Sequence, residues 1–129
     1  MLDRYDRSVT TFGSIGSTDA QLIWPGVIGK SVTGEQMTLA FIELEADAVV
    51  PEHSHANEQI GMLLRGSLTF RIGGESRDLA PGATWRILGD TPHDVRVGPE
   101  GALLVEAFAP ARDDWGGLER LGAERPAWP

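Results

Sequence analysis

The chain has no cysteine, one tyrosine and only three histidines among its 129 residues. Without thiols it can build neither a disulfide framework nor a thiolate metal site, so any metal must be held by nitrogen and oxygen ligands. Positive charge is also scarce: 11 Lys and Arg stand against 19 Asp and Glu, a formal net charge of -8. Phosphate backbones are repelled by that balance, which argues against a nucleic-acid partner. It does not weigh against a small ligand, because the local field of a site can oppose the global one. No segment approaches the ~18–20 apolar residues of a membrane span. The first residues, Met1 to Arg7, lack the apolar core of a secretory leader. The expectation is a cytoplasmic protein with no membrane or nucleic-acid partner.

What is present fits a single folded domain. The apolar fraction of 41% and the charged fraction of 23% are ordinary for a globular chain. Its 16 Gly and 8 Pro are scattered between short apolar runs rather than pooled in a linker, which predicts turns between many short strands. Strands are expected at Gln21 to Trp24, Val27 to Val32 and Met37 to Leu44, the last with both faces covered. Further strands are expected at Ile60 to Leu64, Leu68 to Ile72, Glu75 to Leu79, Ala83 to Ile87, His93 to Val97 and Ala102 to Ala109. Gly66-Ser67, Gly73-Gly74 and Pro81-Gly82 supply the turns between them, and one helical turn is expected near Leu118–Leu121. No long amphipathic helix competes. The fold class is all-β, a sandwich or barrel.

The stretch Pro51 to Gly66 carries the first chemical signal. His53 and His55 lie two residues apart, and His93 follows a proline later in the chain. Histidine is the commonest metal-ligating side chain. If the stretch is one regular strand, side chains alternate, so His53, His55, Asn57, Gln59, Gly61 and Leu63 share a face while Glu58 and Ile60 point away. Gln59 is then the better fourth ligand and Glu58 the runner-up, since a bulge would exchange the two. Gly61 would leave room beside the site. Three neutral imidazoles and an amide oxygen suit a divalent transition metal, Zn, Ni, Fe, Mn or Cu, and leave its charge uncompensated, which strengthens it as a Lewis acid. The competing reading is that each histidine is an ordinary hydrogen-bonded residue.

A second signal lies at Leu104 to Trp115. Leu104, Glu106 and Phe108 share one strand face. If that face is interior, Glu106 is a carboxylate among apolar neighbours, with the raised pKa of a general acid or base. If it is exterior, Leu103, Val105 and Ala107 fill the core and Glu106 is a solvated charge. Arg112 could grip a ligand carboxylate through its bidentate fork, or pair with Asp113, Asp114 or Glu106. Trp85, Trp115 and Trp128 are expected to be packing residues.

On these residues the chain resembles the cupin superfamily, small jelly-roll β-barrels. His53-Ser54-His55, Glu58-Gln59 and Gly66 match the first cupin motif, and Pro81-Gly82 with Pro92-His93 match the second. Gln59 stands where the superfamily usually has an acidic ligand. A narrower resemblance is to the pectin-degradation (KdgF-like) cupins, which open the ring of unsaturated uronates to the linear keto acid. It rests on that glutamine and on Glu106, Phe108 and Arg112 at the end of the last strand, Glu106 replacing the family's usual Asp. The resemblance implies a core barrel over about 37–110, N-terminal strands within 7–35 and a tail over 111–129. It implies metal ligands His53, His55, Gln59 and His93, Glu106 as acid/base with Phe108 beside it, and Arg112 holding a substrate carboxylate. It also implies a homodimer, consistent with Met62 and Leu64 facing away from the histidines.

The expected function is a metal-dependent isomerase or lyase acting on a small carboxylated, sugar-like substrate. Two alternatives stand beside it: a non-catalytic, metal-stabilised small-ligand binding protein, and a three-histidine dioxygenase. A neutral fourth ligand gives an oxidised metal less charge compensation and ranks the dioxygenase lower.

Overall fold

A computed structural model describes residues 11–128. Among them are eight strands, β1 (Gln21–Trp24), β2 (Val27–Thr33), β3 (Thr38–Leu44), β4 (Val49–His53), β5 (Glu58–Ile72), β6 (Glu75–Leu79), β7 (Thr84–Ile87) and β8 (His93–Ala109). They form one antiparallel sheet in the order β1-β2-β3-β8-β5-β6, with β4 added on β8 and β7 on β5. This is an all-β jelly roll around a single core. Residues 7–10 of the expected N-terminal strands lie outside the described residues.

Two expected pairs of strands are each one long strand. Ile60–Leu64 and Leu68–Ile72 join in β5, and His93–Val97 joins Ala102–Ala109 in β8. Gly66-Ser67 is therefore no hairpin turn. It is a bulge at which the register with β8 shifts, between Leu63 and Arg65 and again between Gly66 and Leu68. Both strands bend at glycines of positive φ, +80° at Gly66 and +76° at Gly101. A Cβ at Gly66 would lie 1.9 Å from the Gly101 carbonyl oxygen, so only glycine fits where these strands bend together. Past the bend β5 exchanges β7 for β6 and β8 exchanges β3 for β4. One pair of strands thus threads both layers of the barrel.

Inward alternation fills the core with Ile42, Leu44, Val50, Leu63, Leu68, Phe70, Ile87, Val95, Val97 and Leu104, all buried. On β3 the expectation of two covered faces is corrected: Ala40 and Ile42 are buried, but Leu39 is 50% exposed. Only Phe41 on that outer face is covered, with Trp128 packed on its ring at 5.0 Å. The expected turn near Leu118–Leu121 falls earlier, as a 3-10 helix at Asp113–Gly117. The tail then returns along β1, where Leu22 N–H donates to Glu119 O at 2.9 Å. Lys30, wholly buried, donates from Nζ to the carbonyls of Ile15 and Ala123, pinning both terminal segments to the barrel.

Replacing Gly66 with Ala should force the bend apart. Strain at a positive-φ site alone costs about 1–3 kcal/mol, and the carbonyl contact adds to it. The expected result is a urea midpoint lowered by at least about 1 kcal/mol equivalent, with Gly74→Ala, where a Cβ meets nothing within 4 Å, losing less.

Candidate metal centre and acid/base pocket

The Pro51–Gly66 stretch is two strands rather than one. β4 ends at His53, residues 54–57 form a loop, and β5 begins at Glu58. The loop is tied at both sides: His55 O accepts from Asp90 N–H at 2.7 Å, and Asn57 Nδ2 donates to Pro110 O at 2.6 Å. Across the strands His53 pairs with His93 and Gln59 with Phe108. The result brings His53, His55 and His93 together, one ring nitrogen of each lying within 4.8 Å of the others.

The hydrogen bonds decide which nitrogen that is. His53 Nδ1 lies 2.8 Å from Pro51 O, His55 Nδ1 3.0 Å from Asn57 O, and His93 Nδ1 2.8 Å from Thr91 O. A carbonyl only accepts, so each Nδ1 carries the proton and each Nε2 presents a lone pair. His93 Nε2 is, among the described residues, the buried side-chain polar atom with no partner. His55 Nε2 faces Gln59 Oε1 at 3.1 Å, lone pair against lone pair. A second proton on either ring would ease the repulsion among these lone pairs, but His93, which is buried, is pushed down to about 4. His55 is also lowered, first by burial and then by the Arg112 charge. A cation at the convergence satisfies all of these atoms at once, and 3.1 Å is the spacing of neighbouring ligands on an ion with bonds of about 2.1 Å. The donor set fits a divalent transition metal.

Gln59 is 5% exposed and turned into this pocket, whereas Glu58 is exposed on the other side. The amide of Gln59 has a fixed sense. Its Nε2 donates to Glu106 Oε2 through a short hydrogen bond, which leaves Oε1 toward His55. Glu106 is 7% exposed on the inner face with Leu104 and Phe108, while Leu103, Val105 and Ala107 lie on the outer one. The interior reading of that strand is the observed one. Burial raises the Glu106 carboxyl, against hydrogen bonds from Gln59 and Trp85 and the Arg112 charge, which lower it. Oε1 takes no hydrogen bond among the described residues.

Trp85 is the contributor that sequence reasoning missed. Its indole Nε1 donates to Glu106 Oε2 at 2.8 Å. Trp85, Gly61 and Glu106 stand in one cross-strand row, and a Cβ on Gly61 would lie 2.6 Å from the indole ring. The room expected beside Gly61 is occupied by that ring. Arg112 lies at the cavity wall, its guanidinium 4.9 Å from the Phe108 centroid and 4.7 Å from that of Trp115, paired with Asp114. The cavity measures about 90 Å³ and is walled by the three histidines, Gln59, Glu106 and apolar side chains.

An antiparallel jelly roll with histidines on its inner face defines the class. The chain belongs to the cupin family, whose cupin-domain model matches residues 40–107. It is 27% identical over 92 residues to the pectin degradation protein KdgF of Dickeya dadantii, covering 70% of this chain and 84% of that protein. The solved structure of KdgF from a Halomonas species superposes with a TM-score of 0.74 at 26% identity, covering 82% of this chain and 98% of that one. A cupin described as RmlC-like from Shewanella frigidimarina superposes at 0.76 with 20% identity, covering 82% and 96%, and shares the fold.

His93 gives the site a pH signature. With its folded pKa pushed down to about 4, the unfolded state takes up a proton first as pH falls through ~6.5. His93 thus withdraws stability between about pH 6.5 and 4, by up to ~1.4 kcal/mol per unit and roughly 3 kcal/mol at the lower end. Urea denaturation of the chelator-treated protein should lose stability over that window, and His93→Gln should flatten the slope. An unchanged slope in the variant would remove His93 from this role.

Proposed function

We propose that this cupin is a metal-dependent isomerase or lyase that opens the ring of a small carboxylated sugar, a uronate. The observation that carries the reading is the Glu106 carboxyl, buried in the cavity that the three histidines line, with Oε2 anchored and Oε1 taking no hydrogen bond among the described residues. Support also comes from the two relatives named KdgF, one of them named for pectin degradation. His53, His55, His93 and Gln59 Oε1 would hold the ion, which supplies Lewis-acid polarisation of a substrate oxygen when bound. The chain's own groups do the rest. Ring opening moves the anomeric hydroxyl proton to the ring oxygen as the bond from C1 to that oxygen breaks, with no electron acceptor needed. Glu106 Oε1 takes and returns that proton, and a carboxyl raised toward neutrality by burial suits both directions. Trp85 and Gln59 keep the charge on Oε2. Arg112 takes the sugar carboxylate, and the rings of Phe108 and Trp115 fix its plane.

Glu106→Gln keeps the shape and removes the proton carrier. Turnover of a 4,5-unsaturated galacturonate should fall by at least about 100-fold, while metal content by elemental analysis stays at the wild-type value. His53→Ala should lose the metal. Wild-type turnover in the glutamine variant sinks the proton-transfer role, and thermal stabilisation by uronates with no product on long incubation favours a binding protein instead. Oxygen uptake by the metal-loaded protein would favour a dioxygenase.

A homodimer in the cytoplasm completes the proposal. Val32, Leu39, Ala107 and Ile60 are successive cross-strand partners from β2 to β5, and Val105 pairs with Met62 in the next row. Three of them, Val32, Leu39 and Ile60, are at least half exposed. A contiguous apolar sheet face of this kind supports association. Light scattering should give twice the chain mass for the wild type and the chain mass for Ile60→Glu. A monomeric wild type would refute it.

A further inference from the structure

Resting on the reading of the cavity as a uronate site, we infer that Asp114 is a built-in stand-in for the ligand's carboxylate, which the ligand must displace from Arg112. In the free protein the guanidinium is held by a two-point fork: Nε donates to Asp114 Oδ1 at 3.0 Å and Nη2 to Oδ2 at 2.9 Å. That is the geometry a substrate carboxylate would take.

The two partners differ in what they lose on separating. The Arg112 side chain is 12% exposed and Asp114 64%. Asp114, on the short 3-10 helix Asp113–Gly117, regains water when released. Arg112 cannot do the same. It lies against the rings of Phe108 and Trp115, its backbone N–H donates to the buried Thr38 Oγ1 at 2.9 Å, and its charge cannot be shed. An unpaired guanidinium in that place is unfavourable, so the exchange runs from one carboxylate to another rather than to water. Arg112 and His55 line the same cavity. A ligand carboxylate arriving there therefore meets the guanidinium at the edge of the metal cluster.

Two consequences follow for specificity. A neutral sugar cannot displace Asp114, because it offers no anion to replace the fork. An anionic sugar binds with its affinity reduced by the worth of the exposed pair, which is small for a pair with one solvated partner. Asp114 thus costs the charged ligand a modest part of its affinity, while a neutral sugar, which leaves the fork in place, gains nothing from its removal.

Isothermal titration of the metal-loaded protein with D-galacturonate and with D-galactose tests this directly. Asp114→Asn should tighten galacturonate binding by about fivefold and leave galactose binding unchanged, while Arg112→Gln should lose galacturonate binding. Galacturonate bound equally or more weakly by Asp114→Asn, with loss in Arg112→Gln, overturns the displacement and leaves the uronate reading standing. Galacturonate binding that survives Arg112→Gln, or that is absent from wild type and Asp114→Asn alike, overturns both.

Discussion

Three backbone carbonyls govern this site. Each accepts an Nδ1–H from a histidine no more than two residues away, and so turns an imidazole Nε2 lone pair toward the other two. Lone pairs gathered in a pocket repel, and a cation among them would relieve that repulsion. The bend at Gly66 and Gly101 lets β8 serve both layers, so that His93 at one end and Glu106 near the other line the same cavity. The end of β4 delivers His53 to it and the loop that follows delivers His55.

Glu106 connects the metal cluster to the rest of the pocket. Its Oε2 accepts from Trp85 and from Gln59, and the latter bond fixes the sense of an amide whose oxygen lies 3.1 Å from His55 Nε2. The same carboxyl that would move protons therefore also orients a candidate ligand. A chain with an acidic residue at position 59 could not be oriented in this way, since two carboxylates would face each other. The glutamine and the glutamate are best understood as a pair.

Much of this was legible in the sequence because period-2 alternation is a local property. Leu104, Glu106 and Phe108 could be assigned to one face from their spacing, but His53 and Gln59 could not, because the loop at 54–57 interrupts the alternation between them. The structure then shows which face is inner. Long-range facts were not legible. That Gly66 is a bulge and not a turn depends on a carbonyl of Gly101, 35 positions away. Trp85 read as a packing residue because its partner is set by the register of three strands, Gly61 between Trp85 and Glu106. The expected two-sided cover of β3 failed at Leu39 for the same reason: composition shows that a face is apolar, not that anything lies on it.

The charges of the pocket point to the kind of ligand it accommodates. The Gln59 amide is neutral, burial favours the uncharged forms of His55, His93 and Glu106, and Arg112 carries a positive charge. A divalent ion held by such ligands keeps its whole charge. With an ion bound and Arg112 lining the same cavity, the pocket would be positive inside a chain whose net charge is -8. The acidic exterior would slow the approach of an anion, yet the interior favours one, and in the free protein Asp114 partly answers that field. A neutral ligand would leave the field unanswered. On the proposed function, a carboxylated ligand would answer it at Arg112 and present its neutral hydroxyls and ring oxygen to the imidazole cluster and Glu106.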